Sequence, residues 1–326
     1  MSPARDFTVG GLSISALSGD LSAGTIGFMT AAWQRTLKRG GTLVLDGGTG
    51  TELRRRGMTL GDATWSALAS LTHYELLRTI HTDYIAAGAD VITTNTFATT
   101  RFVLAAAGYG DDFVTINARA VAAAREARDA GGRDVAIAGS ISCLPPRFDA
   151  RAYPAQAAES GAYFELAETL AEAGVDLLLL EMMQETRHAP VACAAARAVG
   201  LPVWLGVSCR RGAANVLVGF DFPLVPLAAC LDALLPLGAA AVNVMHSPVD
   251  ATEPALRAIA ARWRGPFGAY PEIAASGDMA PAAFAAQARE WIVSGAQIIG
   301  GCCGTTPQHI RELAALRTTM EAERSR

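Results

Sequence analysis

Apolar and polar positions alternate on two scales along this chain. From Thr42 onward, short runs rich in Val, Ile and Leu recur between longer Ala-rich stretches whose apolar residues return every three or four positions. Continuous short apolar runs mark strands buried on both faces, and a helical period between them marks crossover helices. The pattern therefore predicts repeated βα units on a parallel sheet. Eight strands are predicted, at residues 42–48, 90–97, 134–142, 176–183, 203–209, 240–246, 267–272 and 297–304.

The punctuation repeats as well. The segments AGAD, AGVD, LGAA and SGAQ precede the second, fourth, sixth and eighth runs, and each places a glycine where a helix would end in a left-handed turn. Pro154, Pro223, Pro254 and Pro281 stand near expected helix starts, where a missing N–H is tolerated. Eight such units in about 280 residues predict a single closed (β/α)8 TIM barrel of parallel strands. A doubly wound sheet is the competing architecture, but its first strand would be followed by a dinucleotide turn, and DGGTGTEL lacks the G-x-G-x-x-G spacing. Before Ala31 the chain is rich in Gly, Ser and Ala with weak periodicity. Residues 1–30 read as a flexible N-terminal extension, and residues 31–326 as the barrel domain.

Composition narrows the function classes. A chain that is 51% hydrophobic and 18% charged can bury a large core and is unlike a disordered protein. A net charge of −4 with no basic run gives no electrostatic footprint for nucleic acid or an anionic membrane. No apolar window is long enough to span a bilayer, and the first residues lack a signal-peptide pattern, so a cytoplasmic protein acting on small molecules is expected. Four of the six cysteines, Cys143, Cys193, Cys209 and Cys230, are scattered singly through apolar segments, as free buried thiols are in a reducing compartment.

Active sites of such barrels lie at the C-terminal strand ends, and that rule selects the chemistry. Asp46 and Glu181 end the first and fourth runs. Two converging carboxylates suit a ligand with an amino group, although Asp46 could instead cap the following helix. Glu181 follows four leucines, where a carboxylate needs a partner to offset its desolvation. Gly47 suits a tight turn that also lets a ligand reach the backbone. Asn95, Asn243, His246 and Glu272 stand at further strand ends. Cys302 and Cys303 are adjacent and flanked by Gly300, Gly301 and Gly304. The pair reads either as two ligands for Zn2+ or as buried thiols.

The motifs LDGGTGTEL, WSALASLTHYELLRTIHTDYIAAGADVITTNTF, AGSIS, LLLLEMM and GGCCGTTPQHI, spanning most of the chain from Leu43 to Leu313, resemble the homocysteine S-methyltransferase family. The resemblance implies a zinc-dependent barrel that moves a methyl group from a sulfonium or quaternary ammonium donor, S-methylmethionine before betaine, to the thiol of homocysteine, giving methionine. It implies that Asp46, Gly47 and Glu181 hold the amino acid end of the thiol substrate, with Asn95 and Asn243 also at the site, and that Cys302 and Cys303 are catalytic zinc ligands. Members draw a third ligand from a cysteine in a segment reading GVNC. Here the segment is AVNVMHSP, with Val244 at the cysteine position. His246 can replace it as ligand, serve as a polar pocket residue or be structural; in an extended strand it would share the face of Val244. Glu272 stands where members more often have Asn, and fits either a cationic donor or a helix cap. A divergent member acting on another thiol with an altered or absent metal site, and a non-catalytic amino-acid-binding protein, are the rival readings.

Overall fold

The computed structural model describes residues 31–61, 64–143, 153–274 and 279–324, so the expected extension at residues 1–30 lies outside the described residues. The strands are β1 (Leu43–Val44), β2 (Val91–Thr93), β3 (Ala136–Ser142), β4 (Leu177–Met183), β5 (Val203–Val207), β6 (Cys209–Arg211), β7 (Leu217–Gly219), β8 (Ala241–Pro248), β9 (Phe267–Glu272) and β10 (Ile298–Ile299). The α-helices are α1 (Ala32–Lys38), α2 (Thr49–Arg55), α3 (Ala69–Thr72), α4 (Tyr74–Ala87), α5 (Arg101–Ala106), α6 (Phe113–Gly131), α7 (Gln156–Ala173), α8 (Ala189–Ala198), α9 (Leu227–Leu234), α10 (Val249–Ala260), α11 (Pro281–Val293) and α12 (Pro307–Arg324).

Eight strands pair in parallel in the order β1-β10-β9-β8-β5-β4-β3-β2. A parallel bridge between Leu45 and Val91 joins the two ends of that order, and the Asp46 N–H donates to the Val91 carbonyl at 3.0 Å. The result is the expected (β/α)8 barrel. Strands β3 and β4 are buried at every position, as strands between a filled interior and a helical shell must be. The glycines that punctuate the sequence do end helices: Gly88, Gly174, Gly238 and Gly295 have φ of 109°, 94°, 85° and 102°. At the N-terminal end α1 lays Trp33 edge-on to Trp204 of β5, centroids 5.6 Å apart, and so closes the bottom of the barrel. Above Trp204, Gly206 has to be glycine, because a Cβ there would stand 2.6 Å from the Tyr270 hydroxyl and 2.8 Å from Met245.

Three expectations are corrected. First, β1, β2 and β10 are only two or three residues long, because residues 46–48, 94–97 and 300–304 leave the sheet to form turns at the C-terminal face. Second, Cys209 does not end the fifth barrel strand; it starts β6, which pairs antiparallel with β7 in a hairpin, Cys209 opposite Gly219. Third, Pro281 begins α11 and Pro154 lies two residues before α7, as expected, but Pro223 lies four residues before α9. Pro254 sits inside α10. Having no N–H, it leaves the Asp250 carbonyl without its helical donor, and Arg211 of the hairpin supplies one, its Nη2 at 2.8 Å.

The buried face of α4 carries His81, fully buried, with neither ring nitrogen hydrogen-bonded. Burial alone lowers its pKa from 6.5 to about 4. The unfolded chain therefore binds a proton below about pH 6.5 that the folded chain refuses until about pH 4, and stability falls as pH falls through that window. At about 1.4 kcal/mol per pH unit the His81 contribution is about 3 kcal/mol. Denaturant unfolding at pH 7 and pH 4 should show a loss smaller by about that amount in His81→Met than in the wild type; equal losses would refute the assignment.

Candidate active site

The C-terminal strand ends surround a cavity of about 410 Å3. Its base is the junction of two turns, one after β1 and one after β10. A Cβ on Gly48 would lie 2.5 Å from the Cys302 carbonyl oxygen, and one on Gly47 would lie 2.8 Å from both the Tyr84 hydroxyl and Thr305 Oγ1. Gly48 is thus demanded by the approach of backbone to backbone, and Gly47 by the packing of the Tyr84 and Thr305 side chains. Thr305 fixes the junction, accepting from the Gly48 N–H at 3.2 Å and donating to the Cys302 carbonyl at 2.7 Å. Gly301 N–H donates to the Asp46 carbonyl at 3.1 Å.

Asp46 is 2% exposed and does not cap α2, whose N-cap is Gly48. Its carboxylate instead accepts from the Thr93 N–H at 2.7 Å and the Thr93 hydroxyl at 2.9 Å, tying β1 to the end of β2. Burial raises its pKa to about 8, against the two Thr93 hydrogen bonds and with help from nearby Glu181. Glu181, 8% exposed, accepts from the Ser140 hydroxyl. Burial raises it to about 7, opposed by Ser140 and His246 and reinforced by Cys303. Two desolvated carboxylates on one cavity recover their charged forms when a cation enters. No lysine or arginine is among the described residues lining the cavity.

The same cavity is lined by His246, Cys302 and Cys303. Cys302 Sγ lies 3.5 Å from His246 Nδ1 and 4.0 Å from Cys303 Sγ, and all three potential donor atoms lie within 4.8 Å of one another. Tetrahedral Zn2+ with bonds of about 2.3 Å to sulfur and about 2.0 Å to nitrogen needs edges of about 3.8 Å and about 3.5 Å. The donor set and its spacing fit that ion. Cys302 donates toward Cys303, which with His246 beside it holds the Cys303 thiol well below its ordinary pKa and Cys302 well above. Burial works against a charged His246, but Cys303, Glu272 and Asp221 outweigh it and raise the imidazole.

His246 reaches the cavity by a route that extended geometry forbids. The β8–β9 register shifts between Met245 and Pro248, and His246 adopts φ of 42°. This bulge turns its ring to the cavity, whereas Val244 remains fully buried in the apolar layer and off the cavity wall. Strand β4 is bulged at the matching place, where Met182 has φ of 58°. Of the five non-glycine residues with positive φ among the described residues, three line the cavity: Trp65, Met182 and His246. Strained backbone held at a cavity signals function.

The cavity wall includes Asp46, Gly47, Asn95, Glu181, His246, Cys302 and Cys303, but not Asn243 or Glu272. Asn243 lies opposite Gly206 and Gly268 in the register, a layer below Met245 and fully buried. Glu272 is buried behind the wall, where its charge acts on His246; it does not cap α11, whose N-cap is Ala280. Asn95 is a brace, accepting from the Ser66 hydroxyl at 2.6 Å and donating to the Ser66 carbonyl at 2.8 Å, and so holds the segment that carries Trp65. Sequence reasoning missed Trp65, Phe97, Met182, Phe220, Asp221 and Met245 as wall residues. Trp65 and Met182 lie inside recognisable motifs; Phe220 and Asp221 follow the unanticipated hairpin and carry no signal of their own.

Residues 43–316 match the family described as homocysteine S-methyltransferase. A homocysteine S-methyltransferase of Zea mays is 29% identical over 84% of this chain and 89% of its own length. A selenocysteine methyltransferase of Astragalus bisulcatus is 28% identical over 83% and 91%. The metallated form of the homocysteine methyltransferase MmuM from Escherichia coli superposes with a TM-score of 0.70 at 26% identity, covering 86% of this chain and 98% of that one. The chain belongs to the homocysteine S-methyltransferase family and is a methyltransferase.

Proposed function

We propose that this chain transfers a methyl group from a sulfonium donor, S-methylmethionine ahead of betaine, to the thiol of homocysteine, and that Cys302, Cys303 and His246 hold the Zn2+ it uses. The observation that carries the reading is that one cavity brings together a soft donor triad and two buried carboxylates. When bound, Zn2+ supplies the Lewis acidity that keeps the acceptor thiol deprotonated at neutral pH. Asp46 and Glu181 take the acceptor's ammonium, oriented for it by Thr93 and Ser140. Phe97, Trp65 and Met182 keep water from the reacting sulfur. The Glu272 carboxylate acts on the His246 ring through its charge, as carboxylates beside metal-bound histidines do. The Astragalus relative makes a selenol a further acceptor to test. Lone buried thiols with no disulfide among the described residues suit the cytoplasm.

The purified chain, loaded with zinc, should form methionine from homocysteine and S-methylmethionine, and Asp46→Asn should raise KM for homocysteine at least about tenfold by removing a charge-assisted hydrogen bond. Stoichiometric zinc without methionine formation from either donor would sink the reading, and tight amino acid binding without turnover would favour a binding protein instead.

The ligand set has its own test. Competition with a chromophoric chelator should give His246→Ala a zinc affinity lower by more than about 100-fold, with His246→Cys restoring most of it, because loss of a ligand exceeds the about 10- to 100-fold effect of changing a residue that only supports a ligand. Undiminished affinity in His246→Ala would remove His246 from the set.

A further inference from the structure

The cavity carries a third carboxylate that the amino acid end of the acceptor does not need. Asp46 and Glu181 are buried, whereas Asp221 is exposed at the rim, so the acidic groups are separated by depth. Asp221 is nonetheless fixed. Its Oδ2 accepts from Gln184 Nε2 at 2.9 Å and its N–H donates to Gln184 Oε1 at 2.7 Å, and Gln184 is itself buried just beyond β4. The hairpin end is pressed onto the same place, since a Cβ on Gly219 would stand 2.4 Å from the Gln184 carbonyl oxygen. The neighbouring Phe220 ring packs on His246, centroids 4.8 Å apart and planes tilted by 56°. An aromatic face and a held carboxylate therefore stand side by side, between the donor triad and solvent.

We propose that Phe220 and Asp221 form the subsite for the positive centre of the methyl donor and so determine which donors the enzyme accepts; this rests on the methyl-transfer reading. A trialkyl sulfonium or quaternary ammonium centre has no N–H or O–H to donate, so a protein can recognise it only by opposite charge and by aromatic faces. The rim offers both, and the described residues lining the cavity include no lysine or arginine to compete. Its place also suits the chemistry. The acceptor thiolate's electron pair forms the new S–CH3 bond while the donor's C–S+ bond breaks, its pair staying on the donor sulfur, which leaves as a neutral thioether. Asp221 thus attracts the charged donor and has no charge to retain in the departing product. The hairpin that carries both residues is an insertion between the fifth and sixth strands of the barrel, a position free to vary without disturbing closure.

The experiment is calorimetric binding of S-methylmethionine to the zinc-loaded full chain, beside steady-state kinetics. Asp221→Asn should weaken binding and raise the donor KM about five- to tenfold with kcat within about twofold, Asp221→Glu should recover part of the loss, and Phe220→Leu should weaken binding about threefold. Zinc stoichiometry and methylation by methyl iodide, a neutral donor, should be unchanged in Asp221→Asn. Wild-type affinity should fall between about 20 mM and about 200 mM salt, as expected for a rim charge, a readout that needs no variant. The proposal is overturned if wild-type binding is absent or independent of salt, if Asp221→Asn binds the donor as the wild type does, or if that variant loses methyl iodide reactivity to the same degree. Donor binding without methionine formation would instead count against the methyl-transfer reading and leave the subsite standing.

Discussion

Closure of the barrel is the constraint on which the rest depends. The first strand meets the last and the second at one seam, where Gly48 N–H reaches Thr305 across 257 positions and Gly301 N–H reaches the Asp46 carbonyl. The same residues that complete the sheet present Asp46 on one side and the two thiols on the other. The carboxylate and sulfur halves of the site are therefore brought together by folding itself. A side chain at position 48 would force the two turns apart and separate the halves together with the strands.

A second constraint works inside that frame. A strand alternates its side chains, so consecutive residues cannot both face the cavity unless the backbone is bent. Strands β4 and β8 both solve this with a left-handed residue, which sets Met182 beside Glu181 and His246 beside Met245 on the same wall. Such conformations cost about 1–3 kcal/mol each and persist only where packing over-determines them. Here the restraint on β4 includes the Met182 N–H and Ser208 hydroxyl directed at the Met245 sulfur, at 3.3 and 2.8 Å. The two bulges thus brace each other through soft, adaptable thioethers.

Much of this was legible in the sequence, for reasons that can be stated residue by residue. Parallel strands buried on both faces leave continuous apolar runs, and Gly88, Gly174, Gly238 and Gly295 mark helix ends because only glycine takes that turn cheaply. Asp46, Glu181 and the Cys302–Cys303 pair stood out as chemistry placed where apolar runs stop. What was hidden depended on departures from regularity. Asn243 has the same strand-end position in the sequence as His246, yet a bulge sends one to the wall and leaves the other beneath it. Glu272 was visible as a charge, but not as one acting through His246 from behind the wall. Pro254 sits inside α10, where a hairpin arginine replaces the lost donor, a partner that no local pattern announces.

The charge distribution of the cavity gives these features a common purpose. Buried carboxylates with no balancing lysine or arginine among the described lining residues are unfavourable for the empty protein, since burial raises Asp46 and Glu181 toward their neutral forms. It becomes favourable only with cations inside, and the proposed reaction brings two: an ammonium on the acceptor and an onium on the donor. The triad answers the opposite need, a soft site where a sulfur can carry negative charge. Methyl transfer then joins the two, neutralising the thiolate and the onium in one step. The ammonium of the acceptor persists in the product, but the donor is held by a charge that the chemistry itself abolishes. An anionic cavity of this kind therefore binds the onium reactant more strongly than its thioether product without any moving part.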